Sequence, residues 1–302
     1  MARSFTLIQL RYFIEVARFE NMRAAAASLN VSQSTLSAAI NHLERDFGVQ
    51  LFLRLPNRAL NLSEDGKRLV AGARNLLENA EILHSSLSGA SHELSGRLRV
   101  GIFAPLAPFV APRLFAAFKS AFPGIELQFI EGEQQQVLDA LRKGECEIAL
   151  MYDLGVGAEF SMEQVDRLGA HVIVAHEHPL AQGNGTVSLE DLVDEPLVLL
   201  DQEHSREYFL KLFSSLGLQP NVAHWVSGYE TVRSYVAMGL GYSVLNRRLS
   251  HDLTYTGKAV VPLQISDPVI PISIVVAYPK EMQMTRKTRA FADLAGEILN
   301  DG

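Results

Sequence analysis

Three short helical patterns joined by tight connections occupy the first 48 residues, and they constrain the fold more than any other feature of the chain. Thr6 and Gln9 form a capping-box signature ahead of apolar residues at helical spacing, which predicts a first helix to about Phe19. Asn21 is a typical N-cap for a short alanine-rich second helix, Ala24 to Leu29. Helices this short and closely spaced predict a small all-α domain.

A third helix begins after Ser32, a typical N-cap, and ends at Gly48, a typical C′ residue. One side of this helix carries a stripe of apolar residues. The opposite side carries small, uncharged, hydrogen-bonding side chains, namely Gln33, Ser34, Ser37 and Asn41. Such a face can approach base edges without desolvating a charge, which favours a recognition helix. The alternative is an ordinary solvated helix face.

The segment from Val49 to Leu62 predicts two short strands joined by a turn, with Arg54 and Arg58 at its base. This is the pattern of a β-wing that places cations against a phosphate backbone, although both arginines could also be solvated. The charge distribution favours the first interpretation. Residues 1–74 have a net charge of +4 and the remainder −11, so only the N-terminal part is suited to a polyanion.

Beyond Ser63-Glu64-Asp65-Gly66, a long helix is expected to run to about Leu87, with apolar residues at alternating four- and three-residue intervals. That spacing is typical of a coiled-coil seam and predicts contact with a partner helix. The seam consists of Leu69, Ala73, Leu76, Ala80, Leu83 and Leu87. Packing of this helix against its own domain is the alternative. A serine- and glycine-rich stretch to Gly96 then predicts a hinge.

From Arg97 onward, strands and helices alternate, which predicts a largely parallel sheet followed by a second α/β unit. Strands are expected at about 171–175, 197–200, 222–226 and 242–245, and helices at 206–216 and 229–238. Strand 271–278 and helix 285–299 could return to the first unit. Two such lobes with a cleft between them form a ligand-binding shape.

Several function classes lack support in the sequence. The single cysteine, Cys146, excludes an intramolecular disulfide and suits a reducing compartment. No segment approaches about 18 uninterrupted apolar residues, and no signal peptide is recognisable, so we expect a cytoplasmic protein without membrane contact. No catalytic constellation appears, and His176 with His178 suits a surface turn better than a zinc site. We expect no enzyme activity, no metal and no cofactor.

Together these residues resemble the LysR-type transcriptional regulators over essentially the whole chain. The most specific stretch runs from Ala25 to Glu44 and is followed by Gly48, Leu51, Phe52, Arg54, Arg58, Leu62, Ser63 and Gly66. Farther along, Gly101, Pro123-Gly124, His178-Pro179-Leu180 and Gly239-Leu-Gly241 are similar to the family's regulatory domain.

The resemblance implies an N-terminal all-α winged helix-turn-helix with a long linker helix, and a C-terminal α/β two-lobed regulatory domain like the periplasmic binding proteins. The expected divisions are a DNA-binding domain at 1–63, a dimerisation helix at 64–88, a hinge at 89–96 and an effector-binding domain at 97–302. Lobe I would comprise about 97–168 with 271–302, and lobe II about 169–270.

The resemblance also implies the function and the partners. A homodimer or homotetramer would bind a double-stranded DNA operator with two-fold character and act on RNA polymerase. A small-molecule effector, an anionic or aromatic metabolite, would bind between the two lobes and modulate operator binding or promoter activation. The effector, the target genes, and activation or repression are not encoded in motifs.

Carried over to this chain, the DNA contacts fall to Arg23, Ser32, Gln33, Ser34, Ser37, Asn41, Arg54 and Arg58. Two positions depart from the family pattern. Ala38 stands where many members carry arginine, which removes one base or phosphate contact. Arg23 stands where a small hydroxyl residue is common, so it could serve in capping or in phosphate binding.

The implied effector contacts follow strands of both lobes: Phe103, Pro105, Leu106, Glu131, Glu133, Tyr152, Asp201, His204, Ser205, Arg206, Ser227, Tyr229 and Thr231. Pro105 replaces a serine or threonine common in the family, which allows a different ligand chemistry. Ser205 and Arg206 could meet an anionic group at a helix start, or serve only as a cap and a surface charge. Tyr152 and Tyr229 suit a planar ligand or core packing equally.

Two other function classes are weighed against this one. A redox-sensing regulator generally needs two cysteines, and Cys146 is alone in an apparently buried strand. An enzyme or solute-binding protein with an accessory N-terminal domain would need catalytic residues or an export signal, and neither is recognisable.

Overall fold

A computed structural model of the chain describes residues 5–54, 60–87, 94–202 and 204–300. Its contacts divide the chain into two compact units. The first unit comprises Met1–Met151, Gly157–Glu163 and Val276–Gly302, and the second comprises Tyr152–Val156 and Gln164–Val275.

The N-terminal part begins with helices α1 (Leu7–Phe19), α2 (Met22–Ser28) and α3 (Gln33–Phe47). Each begins at a side chain that satisfies otherwise free amide groups. Thr6 and Gln9 form the expected capping box on α1, and the Asn21 side chain accepts two amide hydrogen bonds on α2. Ser32 caps α3, and Gly48 ends it in the left-handed conformation with φ 70°. The three helix starts predicted from the sequence are therefore confirmed to within two residues.

Two short antiparallel strands follow, β1 (Phe52–Arg54) and β2 (Leu60–Leu62), with Phe52 paired to Leu62. The amide of Leu60 donates a 3.0 Å hydrogen bond to the carbonyl of Glu20, the residue that ends α1. The wing strands are thereby fixed to the helices. The turn between these strands, with Arg58, lies outside the described residues.

A core of buried side chains holds these elements together, with Leu10, Phe13, Leu36 and Leu43 fully buried. Burying such a side chain contributes roughly 1.5–3 kcal/mol, so these four contribute much of the stability of a domain this small.

Helix α4 (Glu64–Leu87) closes this core with its first turns. Val70 and Ala73 belong to the buried cluster, and Leu69 packs against it. This corrects the assignment of Ala73 to a partner helix, because its side chain is fully covered by its own domain. Farther along the seam, Leu76 is 46% exposed, Ala80 is half-buried and Leu83 is 61% exposed. The side chain of Leu87 is not among those that the structure describes.

The same helix contacts the regulatory part of the first unit. The guanidinium of Arg74 donates a hydrogen bond to the carbonyl of Gly144, which also accepts a 3.3 Å bond from Arg99. Near the start of the helix, Arg68 lies 3.6 Å from Glu281. The first of these contacts is partly buried, so α4 is attached at Gly144 rather than only resting on the surface.

The regulatory part of the first unit alternates strands and helices: β3 (Gly96–Phe103), α5 (Ala107–Ala121), β4 (Ile125–Gly132), α6 (Gln134–Lys143) and β5 (Ile148–Tyr152). Strand β3 pairs in parallel with both β4 and β5, as the alternation predicts. Two later strands, β6 (Phe160–Leu168) and β13 (Ile272–Pro279), complete a sheet of order β4-β3-β5-β13-β6. Helix α9 (Arg286–Asn300) packs beside α5, with Phe118 and Phe291 in contact.

The second unit contains β7 (His171–Ala175), β8 (Thr186–Val187), β9 (Pro196–Leu200), α7 (Ser205–Ser214), β10 (Asn221–Val226), α8 (Tyr229–Ala237), β11 (Ser243–Leu245) and β12 (Val260–Ile265). Strands β9 and β10 are parallel, whereas β11 and β12 both pair antiparallel to β7. The predicted strands and helices of this region are present within about two residues. Strands β6, β8 and β12 were not predicted.

The close approach of α4 to the backbone of Leu51, just before β1, generates a stability prediction with an internal control. A Cβ at Gly66 would overlap the Leu51 carbonyl oxygen, whereas a Cβ at Gly72, in the same helix, would meet nothing within 4 Å. We expect Gly66→Ala to lower the free energy of unfolding by about 2 kcal/mol or more, because a well-packed interior absorbs added volume poorly. Gly72→Ala should raise it by about 0.5–1 kcal/mol through helix propensity.

Urea unfolding followed by circular dichroism measures both changes. Equal effects of the two substitutions would contradict this packing at Gly66.

Candidate functional site

The exposed face of α3 is the first candidate site. Four residues spaced three or four apart lie on its solvent side, at Ser34, Ala38, Asn41 and Arg45. The opposite side contributes Leu36, Ile40 and Leu43 to the core. The face is thus fixed in orientation by its own burial pattern and open to a macromolecular partner.

The start of α3 is organised by hydroxyl groups. The Ser32 oxygen accepts a 3.0 Å hydrogen bond from the amide of Thr35 and lies 2.8 Å from the Ser34 hydroxyl. It also lies 2.7 Å from the Thr35 hydroxyl. Ser32 therefore serves first as the helix cap, and it orders the first turn that carries Ser34 and Gln33.

The other predicted DNA contacts fall into three groups. Gln33 and Arg23 are exposed, the latter in the first turn of α2, while Ser37 is half-buried at the edge of the face. Arg54 lies in β1, but its side chain, like the whole of Arg58, lies outside the described residues.

Arg45 is a residue that the sequence analysis missed. Its Nε donates a 3.2 Å hydrogen bond to the carbonyl of Asn41, one turn earlier, which holds the guanidinium along the exposed face. It makes no ion pair with a described residue. Arg45 lies eleven residues after Ser34, and this helical spacing could have placed it on the same face from the sequence alone.

The second candidate site is the sheet edge of the first unit where β3 and β4 end. These parallel strands pair Phe103 with Gly132, so the segments that follow them lie close together. Glu131 and Glu133 are exposed there, and Pro105 is half-buried. The Glu133 side chain takes part in a capping box on α6.

Two predicted side chains at this edge do not face solvent. Phe103 is 1% exposed and Leu106 is fully buried. Their assignment as effector contacts is corrected, because the last four residues of β3 are buried on both faces and the turn before α5 buries Leu106.

In the second unit, β9 and β10 are also parallel and end together. The amide of Asp201 donates a 2.8 Å hydrogen bond to Val226, and the Gln202 side chain donates a 2.9 Å bond to the carbonyl of Ser227. Arg206, near the start of α7, lies 3.4 Å from Asp201 and 5.8 Å from the Trp225 ring centre. The structure thus brings the two predicted loops of this unit into contact.

The remaining residues of these loops differ in exposure. Ser227 and Thr231 are exposed, and Ser205, the first residue of α7, is 4% exposed. His204 holds a positive φ of 62°, which is uncommon for a residue with a side chain. Such local strain is concentrated at functional loops.

The two tyrosines are largely structural. Tyr229 donates its hydroxyl hydrogen to the carbonyl of Arg247, and burial raises its pKa to about 12. Tyr152 is 7% exposed, and burial followed by the neighbouring Tyr229 raises its pKa as well. Both rings therefore remain neutral hydrogen-bond donors at physiological pH.

The histidine pair is a turn, as expected. His178 Nδ1 accepts a 3.2 Å hydrogen bond from the amide of Leu180 and caps a short 3₁₀ helix. Among residues 5–54, 60–87, 94–202 and 204–300, no group of three or more metal-ligating side chains occurs. None of the helices described is both long and apolar enough to cross a membrane.

A capped three-helix domain with an exposed polar third helix, joined to an α/β domain whose strand ends carry polar loops, defines a DNA-binding, ligand-responsive regulator. The family models agree. "Bacterial regulatory helix-turn-helix protein, lysR family" matches residues 7–67, and "LysR substrate binding domain" matches residues 91–300. The chain therefore belongs to the LysR family of transcriptional regulators, and it is a DNA-binding regulator rather than an enzyme.

Individual relatives cover almost the whole chain. HinK, a LysR family transcriptional regulator from Pseudomonas aeruginosa, is 34% identical with a TM-score of 0.66, covering 98% of this chain and 99% of HinK. A full-length OxyR variant from the same species is 25% identical with a TM-score of 0.70, covering 97% of this chain and 98% of the variant. The "Hydrogen peroxide-inducible genes activator" of Haemophilus influenzae is 26% identical over 295 residues, 96% of this chain and 97% of the relative.

Arg45 generates a prediction about DNA affinity. We expect Arg45→Ala to weaken DNA binding about three- to tenfold and to reduce the slope of log affinity against log salt by about 1, because one phosphate contact is lost. Electrophoretic mobility shifts at several salt concentrations measure both quantities.

Lys67→Ala is the matched control, because it also removes one exposed positive charge from a helix. Lys67 lies on α4, where it pairs with Glu64 at 2.7 Å. A loss of affinity that is equal in the two variants would reject a specific contact by Arg45.

Proposed function

We propose that this regulator binds a two-fold operator through the exposed face of α3 and responds to a small-molecule effector held by its C-terminal domain. The observation that carries the proposal is this ordered face, with Ser34, Asn41 and Arg45 in line, on a chain whose remainder matches a substrate-binding domain.

The DNA part of the proposal is supported by chemistry as well as position. Gln33 and Asn41 present amide groups that can pair with the edge of adenine, and Arg45 presents a guanidinium suited to phosphate or guanine. The apolar side chains of α3 are buried in the core, so the polar face is the side of the helix that is exposed to a partner.

The effector part is supported by the strand ends. In each unit, two parallel strands end side by side, which is where α/β sheets bind ligands. Polar residues follow β4, β9 and β10, whereas the turn after β3, Ala104-Pro105-Leu106, is apolar. The Arg206 guanidinium, half-exposed beside Asp201 and Trp225, favours an anionic or aromatic effector. Binding of that effector between the lobes stays a prediction from the resemblance.

Self-association is part of the same proposal, because two half-sites multiply weak single contacts. Leu76 is exposed on α4, and Trp225, Tyr235 and Met238 are exposed in the second unit. Exposed apolar residues of this size suit a homodimer or homotetramer interface. Action on RNA polymerase in the cytoplasm would follow from operator binding.

The experiment that tests the proposal is a footprint of the purified chain on its own upstream DNA, at two salt concentrations. Protection with two-fold character and a steep salt dependence is the expected result. A Gln33→Ala variant should bind with a flattened preference between operator and unrelated DNA. Wild-type protein that protects no site, and binds every DNA equally, would reject the proposal.

A second candidate function, peroxide sensing, is favoured by the names of several relatives, among them the activator from Haemophilus influenzae. The chain has one cysteine, Cys146, which is fully buried, and burial raises the pKa of its thiol to about 12. A thiol in this state is a poor nucleophile toward peroxide, and no second cysteine is present to form a disulfide within the chain.

We therefore expect stoichiometric hydrogen peroxide to leave operator binding unchanged in both wild type and Cys146→Ser, as measured by mobility shift. A peroxide effect in the wild type that disappears in Cys146→Ser would establish thiol sensing instead.

We expect Leu76→Asp to shift the assembly toward monomer by tenfold or more, because a carboxylate would be buried against the partner helix. Sedimentation equilibrium measures the shift. Leu53→Asp, at an equally exposed position in β1, is the control and should leave the association constant unchanged.

A further inference from the structure

A cavity in the first unit lies apart from every residue assigned above to DNA or to an effector. It has a volume of about 660 Å³ and is formed where β13 ends and α9 begins. Volumes of about 300–1,000 Å³ are usual for small-molecule sites. It is lined by Lys280, Arg286 and Arg289, together with Met282 and Met284.

The back of the cavity is a fixed polar network. Arg289 makes two hydrogen bonds to Glu163, of 2.6 and 2.9 Å, and Tyr278 donates a 3.2 Å bond to the same carboxylate. Arg289 also lies 3.9 Å from Asp293. The charge of Arg289 is therefore matched within the protein, and Tyr278 and Ser161 line the same side of the cavity.

Two cations in the cavity wall are not matched. Lys280 and Arg286 are exposed, and neither makes an ion pair or a side-chain hydrogen bond with a described residue. Asp293 is the one carboxylate among the described residues that line the cavity. Glu163 balances the charge of Arg289, and Asp293 balances one of the two remaining cations, Lys280 and Arg286. The cavity therefore retains a net positive charge.

The backbone positions of these cations are well defined. The amide of Lys280 donates a 2.8 Å hydrogen bond to Glu159, which extends the strand pairing beyond β13. Thr285 is buried and accepts a 3.3 Å bond from the amide of Thr288 in the first turn of α9. The two cations are thus carried on backbone segments that are held by hydrogen bonds.

We infer that this cavity binds a small anionic metabolite, whose carboxylate or phosphate oxygens are held by Lys280 and Arg286. The apolar walls of Met282 and Met284 would cover the remainder of the ligand. Oxyanion recognition by a lysine and an arginine gives charge-assisted hydrogen bonds, which are stronger than neutral ones. The site is independent of the proposed effector loops and of DNA binding.

The methionines provide a local readout. The chain has seven methionines, and two of them, Met282 and Met284, line the cavity. The full-length protein is labelled with ¹³C at the methionine methyl groups, and Met282→Leu and Met284→Leu assign the two signals. Citrate and inorganic phosphate are then titrated separately, with sodium chloride at matched ionic strength as a third titration.

The expected result is a saturable shift of the Met282 and Met284 signals with citrate, phosphate or both, and none with chloride. The anion that saturates the shift identifies the ligand as a carboxylate or a phosphate. Met22, in the DNA-binding part, and Met238, in the second unit, should stay unchanged. Shifts that do not saturate, or that chloride reproduces, overturn the inference.

Paired variants separate recognition from general charge. We expect Lys280→Ala with Arg286→Ala to weaken the saturable binding by tenfold or more, while unchanged Met22 and Met238 signals report an intact fold. Arg248→Ala with Lys258→Ala removes two exposed cations from the second unit and should leave the affinity unchanged. Equal losses in the two double variants would also overturn the inference.

Discussion

Burial of the first turns of α4 against the three-helix core is the interaction on which the rest of the structure depends. The helix contributes Val70 and Ala73 to that core and comes so close to the Leu51 carbonyl that only glycine fits at position 66. A few residues later, Arg74 binds the regulatory part through Gly144. The first turns of α4 are therefore part of the DNA-binding domain, and the next turn of the same helix is hydrogen-bonded to the regulatory part.

Local chemistry explains why the N-terminal domain could be predicted so closely from the sequence. Thr6, Asn21 and Ser32 act as caps through contacts within three residues, which a linear pattern reveals directly. The wing strands also follow from short-range signals. Arg45 departs from the small, uncharged character of the other residues on this face of the third helix, and only the helical spacing from Ser34 and Asn41 places it there.

Tertiary contacts explain what the sequence did not reveal. The heptad spacing of α4 fits two partners equally well, and only the folded core shows that Ala73 belongs to its own domain. Phe103 ends β3 where both faces of the strand are buried, and Leu106 is buried in the turn before α5, so neither side chain reaches solvent. Strand β12 contains Pro262, which weakens the pattern of a strand, and its place against β7 depends on pairing with distant residues. The polar residues after β4, β9 and β10 were predictable, whereas the orientation of individual side chains was not.

The hydrogen bond from Arg74 to the carbonyl of Gly144 attaches α4 to the regulatory part at one point along its length. Thirteen residues separate Arg74 from Leu87, and at 1.5 Å per residue the helix extends about 20 Å beyond this attachment. A tilt of about 10° at Arg74 would move the far end by roughly 3.5 Å. Because Val70 and Ala73, on the other side of the same attachment, are packed in the DNA-binding core, such a tilt would also load that core, so the two ends of α4 are mechanically coupled through one helix.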